Sequence, residues 1–169
     1  MSQDATIAET TAAPRRTVHF DELAELVGVP LGTSSWHHIT QEKIDAFGAL
    51  TGDEQWIHVD RERAKDGPFG TTIAHGYLSL CLSTAITFEV AEFTGVEAAV
   101  NYGLDKVRFT APVPSGSSVR GHVTVASVRR RGRRFTEVVF EITYEIQGSE
   151  DVPCTARVVT LLQPAGAAA

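Results

Sequence analysis

Between residues 136 and 146, apolar and polar side chains alternate. Thr136, Val138, Phe140, Ile142, Tyr144 and Ile146 share one face, and Glu137, Glu141, Thr143 and Glu145 fall on the other. A period of two predicts a half-buried strand. Residues 119–128 form a comparable run before the turn Arg129-Arg-Arg-Gly-Arg-Arg134, and Val152, Cys154, Ala156 and Val158 line one side of a last strand after Gly148-Ser149. Residues 97–109 read as a further strand with a kink at Gly103, leading through a loop at 112–118. Strands so spaced and joined by short turns imply an antiparallel sheet.

The pattern between residues 77 and 91 is different. Tyr77, Leu78, Leu80, Cys81, Leu82, Ala85, Ile86, Phe88, Val90 and Ala91 point in all directions around a helical wheel. A helix apolar all round is buried on all sides, so the strands that follow must wrap it. One long helix against a curved antiparallel sheet is an α+β arrangement. Upstream, DELAEL predicts a short helix and residues 32–40 a first strand. Thr40 is placed to N-cap a helix carrying Ile44 and Phe47 at helical spacing, and Gly52 to end it in the left-handed conformation. Asp60-Arg-Glu-Arg opens a further short helical turn before Gly67-Pro68.

Composition narrows the class. The 169 residues are 43% hydrophobic and 21% charged, enough for one domain with a core of its own. A net charge of −6 argues against general nucleic-acid binding, which needs a basic surface. Cys81 and Cys154 lie among apolar neighbours and read as buried free thiols. The N-terminus lacks the apolar core of a signal peptide and the longest apolar run is too short to cross a bilayer, so the expectation is a cytoplasmic protein without a membrane span. Residues 1–18 are expected as a flexible tail, 19–163 as the domain, and 164–169 as a second tail.

The candidate chemistry gathers between Thr51 and Tyr77. Asp53 leaves the first long helix, His58 follows five positions on, and His75-Gly76 opens the apolar helix. A carboxylate and an imidazole can exchange a proton with a substrate, and a backbone N–H at a helix start can face a developing oxyanion. From spacing alone the same residues also read as a turn cap, a half-buried histidine and a glycine that permits close packing. No tight ligand spacing supports metal binding by His58, Asp60 and His75. Arg129–Arg134 is as readily a solvated hairpin tip as a phosphate grip, and Lys106 and Arg108 form a second basic pair.

Three segments in order, FGALTGDEQWIHVD, GPFGTTIAHGYLSLCL and YGLDKVRFTAPVPSG, resemble the MaoC-like family of hot-dog-fold proteins, which includes (R)-specific enoyl-CoA hydratases; the likeness spans about residues 33–163. The family motif runs aromatic, small residues, Gly-Asp, any residue, Asn-Pro, aliphatic, His. Phe47, Gly52, Asp53, Ile57 and His58 fit it, and Ala64 suits the small position beyond. Gln55 and Trp56 stand in place of Asn-Pro, a departure similar to the NodN-like branch, which leaves acyl specificity open.

The resemblance implies a long helix wrapped by an antiparallel sheet and a lyase of fatty-acid metabolism. Such an enzyme adds water reversibly to a trans-2-enoyl-CoA, giving a (3R)-3-hydroxyacyl-CoA. Asp53 and His58 would hold the water, Gly76 N–H would receive the thioester oxygen, and Thr84, in preference to Ser83, would support the dyad. Gln55, Trp56, Lys106 and Arg108 become candidate substrate contacts. No cofactor or metal is implied, since coenzyme A is part of the substrate; an acyl-carrier thioester is an alternative substrate, and a homodimer is expected. A hot-dog thioesterase and a non-catalytic acyl-thioester-binding subunit are the competing readings.

Overall fold

The computed structural model describes residues 15–166. Its main sheet has six strands: β2 (Pro30–Thr33), β3 (His37–His38), β5 (Val96–Phe109), β6 (Ser118–Arg131), β7 (Phe135–Ile146) and β8 (Cys154–Pro164). The order is β2-β6-β7-β8-β5, every pairing is antiparallel, and β3 pairs β6 beyond the end of β2. Alternation in β7 sends Val138, Phe140, Ile142 and Tyr144 into the core, as the sequence predicts. The kink expected at Gly103 is a register shift between Asn101 and Gly103; two further shifts, between Val96 and Ala98 and between Leu104 and Lys106, bend β5 along its length.

The long central helix is two helical segments in succession. α4 (Gly76–Cys81) and α5 (Ser83–Val90) meet at Leu82, whose N–H is shared between the carbonyls of Leu80 and Ser79 in one tightened turn. Ile86 is fully buried in the concave sheet. A Cβ on Gly121 would stand 2.7 Å from Ile86 Cγ2, so a glycine in β6 is what lets α5 lie this close. The sheet covers only part of the helix surface. Tyr77 (68% exposed), Cys81, Thr84, Ala85 and Phe88 remain outside, so the expectation of a helix buried all round holds for one side only.

Two other expectations change. Arg16–His19 is a strand, β1, parallel to β4 (Ala91–Thr94), and Val18 is fully buried between them and the core. This strand falls inside the stretch expected as tail; residues 1–14 of that tail, and 167–169 of the second, lie outside the described residues. Cys154 is buried as expected, but Cys81 is exposed.

Thr40 caps α1 (Gln41–Thr51) by accepting from Lys43 N–H, and Gly52 ends it at φ +79 with its N–H on Gly48 O. The short helices α2 (Trp56–Val59) and α3 (Arg61–Lys65) follow directly, bringing the Asp53–His58 segment against the start of α4. No helix among the described residues is long and apolar enough to cross a membrane.

Candidate active site

His58 lies in the last turn of α2, and three contacts fix it, two with main-chain carbonyls and one with a side-chain amide. Its N–H reaches back to Gln55 O (2.9 Å), its carbonyl accepts from Gln41 Nε2 (2.7 Å), and its ring Nδ1 stands 2.7 Å from Ile73 O. A carbonyl only accepts, so Nδ1 carries the proton and Nε2 keeps its lone pair. The acceptor strand is held in turn: Ile73 N–H donates to Ile57 O (3.0 Å) and Ala74 N–H to Val113 O (2.8 Å).

His75, the residue before α4, lies against this ring. The two imidazoles stack with centroids 3.8 Å apart and planes 25° from parallel, and His75 Nε2 is 2.8 Å from the carbonyl oxygen of Asp53. Asp53 leaves α1 through the Gly52 turn with its carboxylate exposed. One ligating atom from each of Asp53, His58 and His75 lies within 4.8 Å of the others. Both histidines are buried, at 7% and 2% exposure. As a metal cage this set is poorly arranged. It offers three donors, one of them on an exposed residue, where a closed tetrahedral site takes four.

Beside His58 opens a cleft of about 280 Å³. Its walls are mostly apolar, from Phe69, Ile73, Ala74, Phe109, Pro112 and Val113, with Gly76 and Ser79 of α4 on one side. Gly76 is the first residue of its helix, so its N–H has no intrahelical acceptor. The Phe109 ring rests on it: a Cβ at position 76 would meet ring atoms at 2.9 Å. An apolar cleft with a few polar groups at one end is the usual form of a small-molecule site.

Of the residues singled out from the sequence, His58 and Gly76 line this cleft, and Asp53, outside its lining, has a carboxylate oxygen within 4.8 Å of a His58 ring nitrogen. The other five lie elsewhere. Thr84 is exposed on α5, where its hydroxyl accepts from Asn101 (3.4 Å) in a groove between α5 and β5. Trp56 packs on Gly67 under the Arg63 guanidinium, 4.4 Å from the ring centroid, and Gln55, exposed, precedes α2 without a side-chain bond to it. Lys106 sits beside Glu141 and Arg157 in a separate groove, and Arg108 donates to the carbonyl of Val107.

Sequence reading missed Gln41 and Ser79. Gln41, buried at the start of α1, holds His58 O, Asp45 and the Thr72 hydroxyl, and Ser79 lines the cleft from one turn into α4. A polar residue three positions before Ile44, on the buried side of α1, was the available signal for Gln41.

A buried helix clasped by a curved antiparallel sheet, with its candidate site at the helix start, defines a hot-dog-fold protein. The chain belongs to the MaoC-like family: the family model described as MaoC like domain matches residues 22–148. It is similar to 3-hydroxyacyl-thioester dehydratase Z of Mycobacterium tuberculosis, 46% identical over 135 residues, covering 80% of this chain and 89% of the relative. Nodulation protein N of Rhizobium leguminosarum bv. viciae is 40% identical over 139 residues, covering 81% and 86%. Among solved structures, the unliganded R-hydratase PhaJ1 from Pseudomonas aeruginosa superposes with a TM-score of 0.63 at 22% identity over 80% of this chain and 86% of that one, a likeness of fold.

Proposed function

We propose that this protein is a hydro-lyase that interconverts a trans-2-enoyl thioester and a (3R)-3-hydroxyacyl thioester, with coenzyme A as the carrier. The observation that carries the reading is the tautomer of His58. With Nδ1–H committed to Ile73 O, the only ring atom free to accept a proton is Nε2, on an imidazole that lines the cleft beside the Asp53 carboxylate. The relatives named 3-hydroxyacyl-thioester dehydratase supply the substrate class.

In the hydration direction a water held by Asp53 and His58 gives its oxygen to C3 and one proton to the dyad, and a proton from the dyad reaches C2. The substrate gains one water and the dyad ends with the protons it began with, so an acid and a base must be adjacent. As C3 is attacked the thioester oxygen gains negative charge, and Gly76 N–H at the cleft wall is the donor for it. The apolar walls take the acyl chain.

A cytoplasmic homodimer is the form we propose. Tyr77 and Phe88 on the helices and Leu104 and Phe109 on β5 are all more than 40% exposed, and among the described residues β5 ends the sheet with one edge unpaired. A second copy adding its own β5 would cover both. Leu104→Asp is expected to shift the sedimentation coefficient to that of a monomer; an unchanged value sinks the assignment.

The catalytic test is hydration of crotonyl-CoA by Asp53→Asn and His58→Gln proteins. Each is expected to lose about 10²-fold or more in kcat while melting as the parent does. Near-parental turnover in either removes the dyad. Release of free thiol from a saturated acyl-CoA would instead support the thioesterase reading.

A further inference from the structure

His75, stacked on His58, takes no part in the proton transfer just described. His75 is 2% exposed, and its two ring nitrogens are in unlike situations. Nε2 lies 2.8 Å from Asp53 O, so it is the protonated nitrogen; Nδ1 is then a bare acceptor, buried and without a hydrogen-bond partner. His58 has the opposite arrangement, Nδ1 protonated and Nε2 free. The rings of these two tautomers lie face to face at 3.8 Å, and Phe47 closes on His75 at 5.1 Å. Gly48 completes the enclosure: a Cβ there would stand 3.1 Å from Asp53 O and 3.6 Å from His75 Cε1.

A buried acceptor without a partner costs stability, and a core that needed only a flat ring here would be better served by phenylalanine. Histidine supplies two things at once. Its N–H ties down the turn carrying Asp53, and its face sets the plane of His58. Phenylalanine offers the second alone, and glutamine the first alone. We propose that His75 is a positioning residue of the dyad, clamping Asp53 through its main chain and His58 through its ring, in the Nε2–H form. The proposal rests on the Asp53–His58 reading for its kinetic arm only.

His75→Phe and His75→Gln separate this role from plain packing. His75→Phe keeps the stack, removes the unpaired acceptor and deletes the bond to Asp53. It is expected to melt at or above the parental temperature while kcat for crotonyl-CoA hydration falls about tenfold or more and KM stays within about twofold. His75→Gln keeps a donor for Asp53 O and is expected to retain more kcat than His75→Phe despite a lower melting temperature. A purely structural residue gives the reverse: activity per folded molecule unchanged and only the melting temperature moved.

The second arm needs no substrate. Long-range 1H–15N correlation spectra of the parent are expected to show Nδ1–H for His58 and Nε2–H for His75, and amide exchange at Asp53–Gln55 is expected to quicken in His75→Phe. An Nδ1–H tautomer at His75, or exchange at that turn unchanged by the substitution, overturns the proposal whether or not the protein hydrates enoyl-CoA. Parental protein inactive on every enoyl thioester but with these spectra would overturn the proposed function and leave the clamp standing.

Discussion

Replacing Gln41 by alanine tests whether the site is held from behind. Gln41 is 7% exposed; its Nε2 donates to His58 O and to Asp45 Oδ1, both at 2.7 Å, and its Oε1 accepts from Thr72 Oγ1. Three hydrogen bonds at about 0.5–1.5 kcal/mol net each set one part of the cost. The other part comes from what alanine strands: the His58 carbonyl and the Thr72 hydroxyl, on a residue 2% exposed, at about 1–3 kcal/mol each when left unpaired. These two terms overlap, and water entering the vacated space offsets some of both, so the expected loss is about 2–4 kcal/mol. Urea unfolding at unchanged m value reads it directly. Gln41→Met keeps the volume without the bonds and should lose nearly as much, which assigns the effect to polarity rather than to a cavity. With His58's main chain released, kcat should fall as well. A Gln41→Ala protein within about 0.5 kcal/mol of the parent would show that packing alone fixes His58 and that these bonds do not.

The remaining expectations are of three kinds. Gly76→Ala drives a methyl into the Phe109 ring, and kcat/KM should fall about tenfold or more, with part of it recovered in Gly76→Ala/Phe109→Ala; strictly additive losses in that cycle would separate the two residues. The Glu145 carboxyl is held below the usual carboxylate range by hydrogen bonds from Arg120 above all, with His122 helping and partial burial opposing. Because the folded value is the lower one, Glu145 contributes stability above the unfolded carboxylate value of about 4.3 and loses it as pH falls through the folded value. Urea midpoints of Glu145→Gln should therefore fall less on acidification below about pH 4 than those of the parent, and parallel curves would refute the linkage. Burial pushes the Cys154 thiol up to about 11, so at neutral pH a thiol reagent should titrate no more than one of the two cysteines in native protein and both after denaturation.

What the sequence revealed follows from how far each signal reaches. Alternation in β7 and the Thr40 and Gly52 caps of α1 are set by neighbouring residues, and the structure matches them. Burial of the helix was only half legible, because an apolar stripe says that something covers it without saying whether the cover is the same chain. Tyr77 and Phe88 are the helix residues that this chain itself leaves exposed. β1 escaped notice for a related reason: RTVH is four residues long with one inward side chain, Val18, and its partner strand begins 72 positions later at Ala91. Thr84 shows the limit of carrying a residue over by position. The tightened turn at Leu82 resets the helical phase between Gly76 and residue 84, and the hydroxyl emerges beside Asn101 rather than at the dyad.

The proposed dyad of Asp53 and His58 was visible as two residue types and invisible as a geometry, and the reason lies in what holds these residues. His58 Nδ1 ends on Ile73 O, His75 Nε2 on Asp53 O, and Gln41 Nε2 on His58 O. All three acceptors are main-chain carbonyls, which every residue possesses, so no side chain at positions 53, 58 or 73 announces the bond it receives. The information sits instead in the donors and in the clearance around them: two histidines that must be of opposite tautomer, one glutamine on the inner side of α1, and Gly48, where a methyl would press on the Asp53 carbonyl at 3.1 Å. Ile73 tethers His58 through its main-chain carbonyl, so its side chain can be exchanged where a donor such as His75 cannot. Ile73→Val should thus leave turnover within about twofold while His75→Phe does not, and equal losses in the two would mean that side-chain packing, not the carbonyl tethers, sets the geometry of the pair.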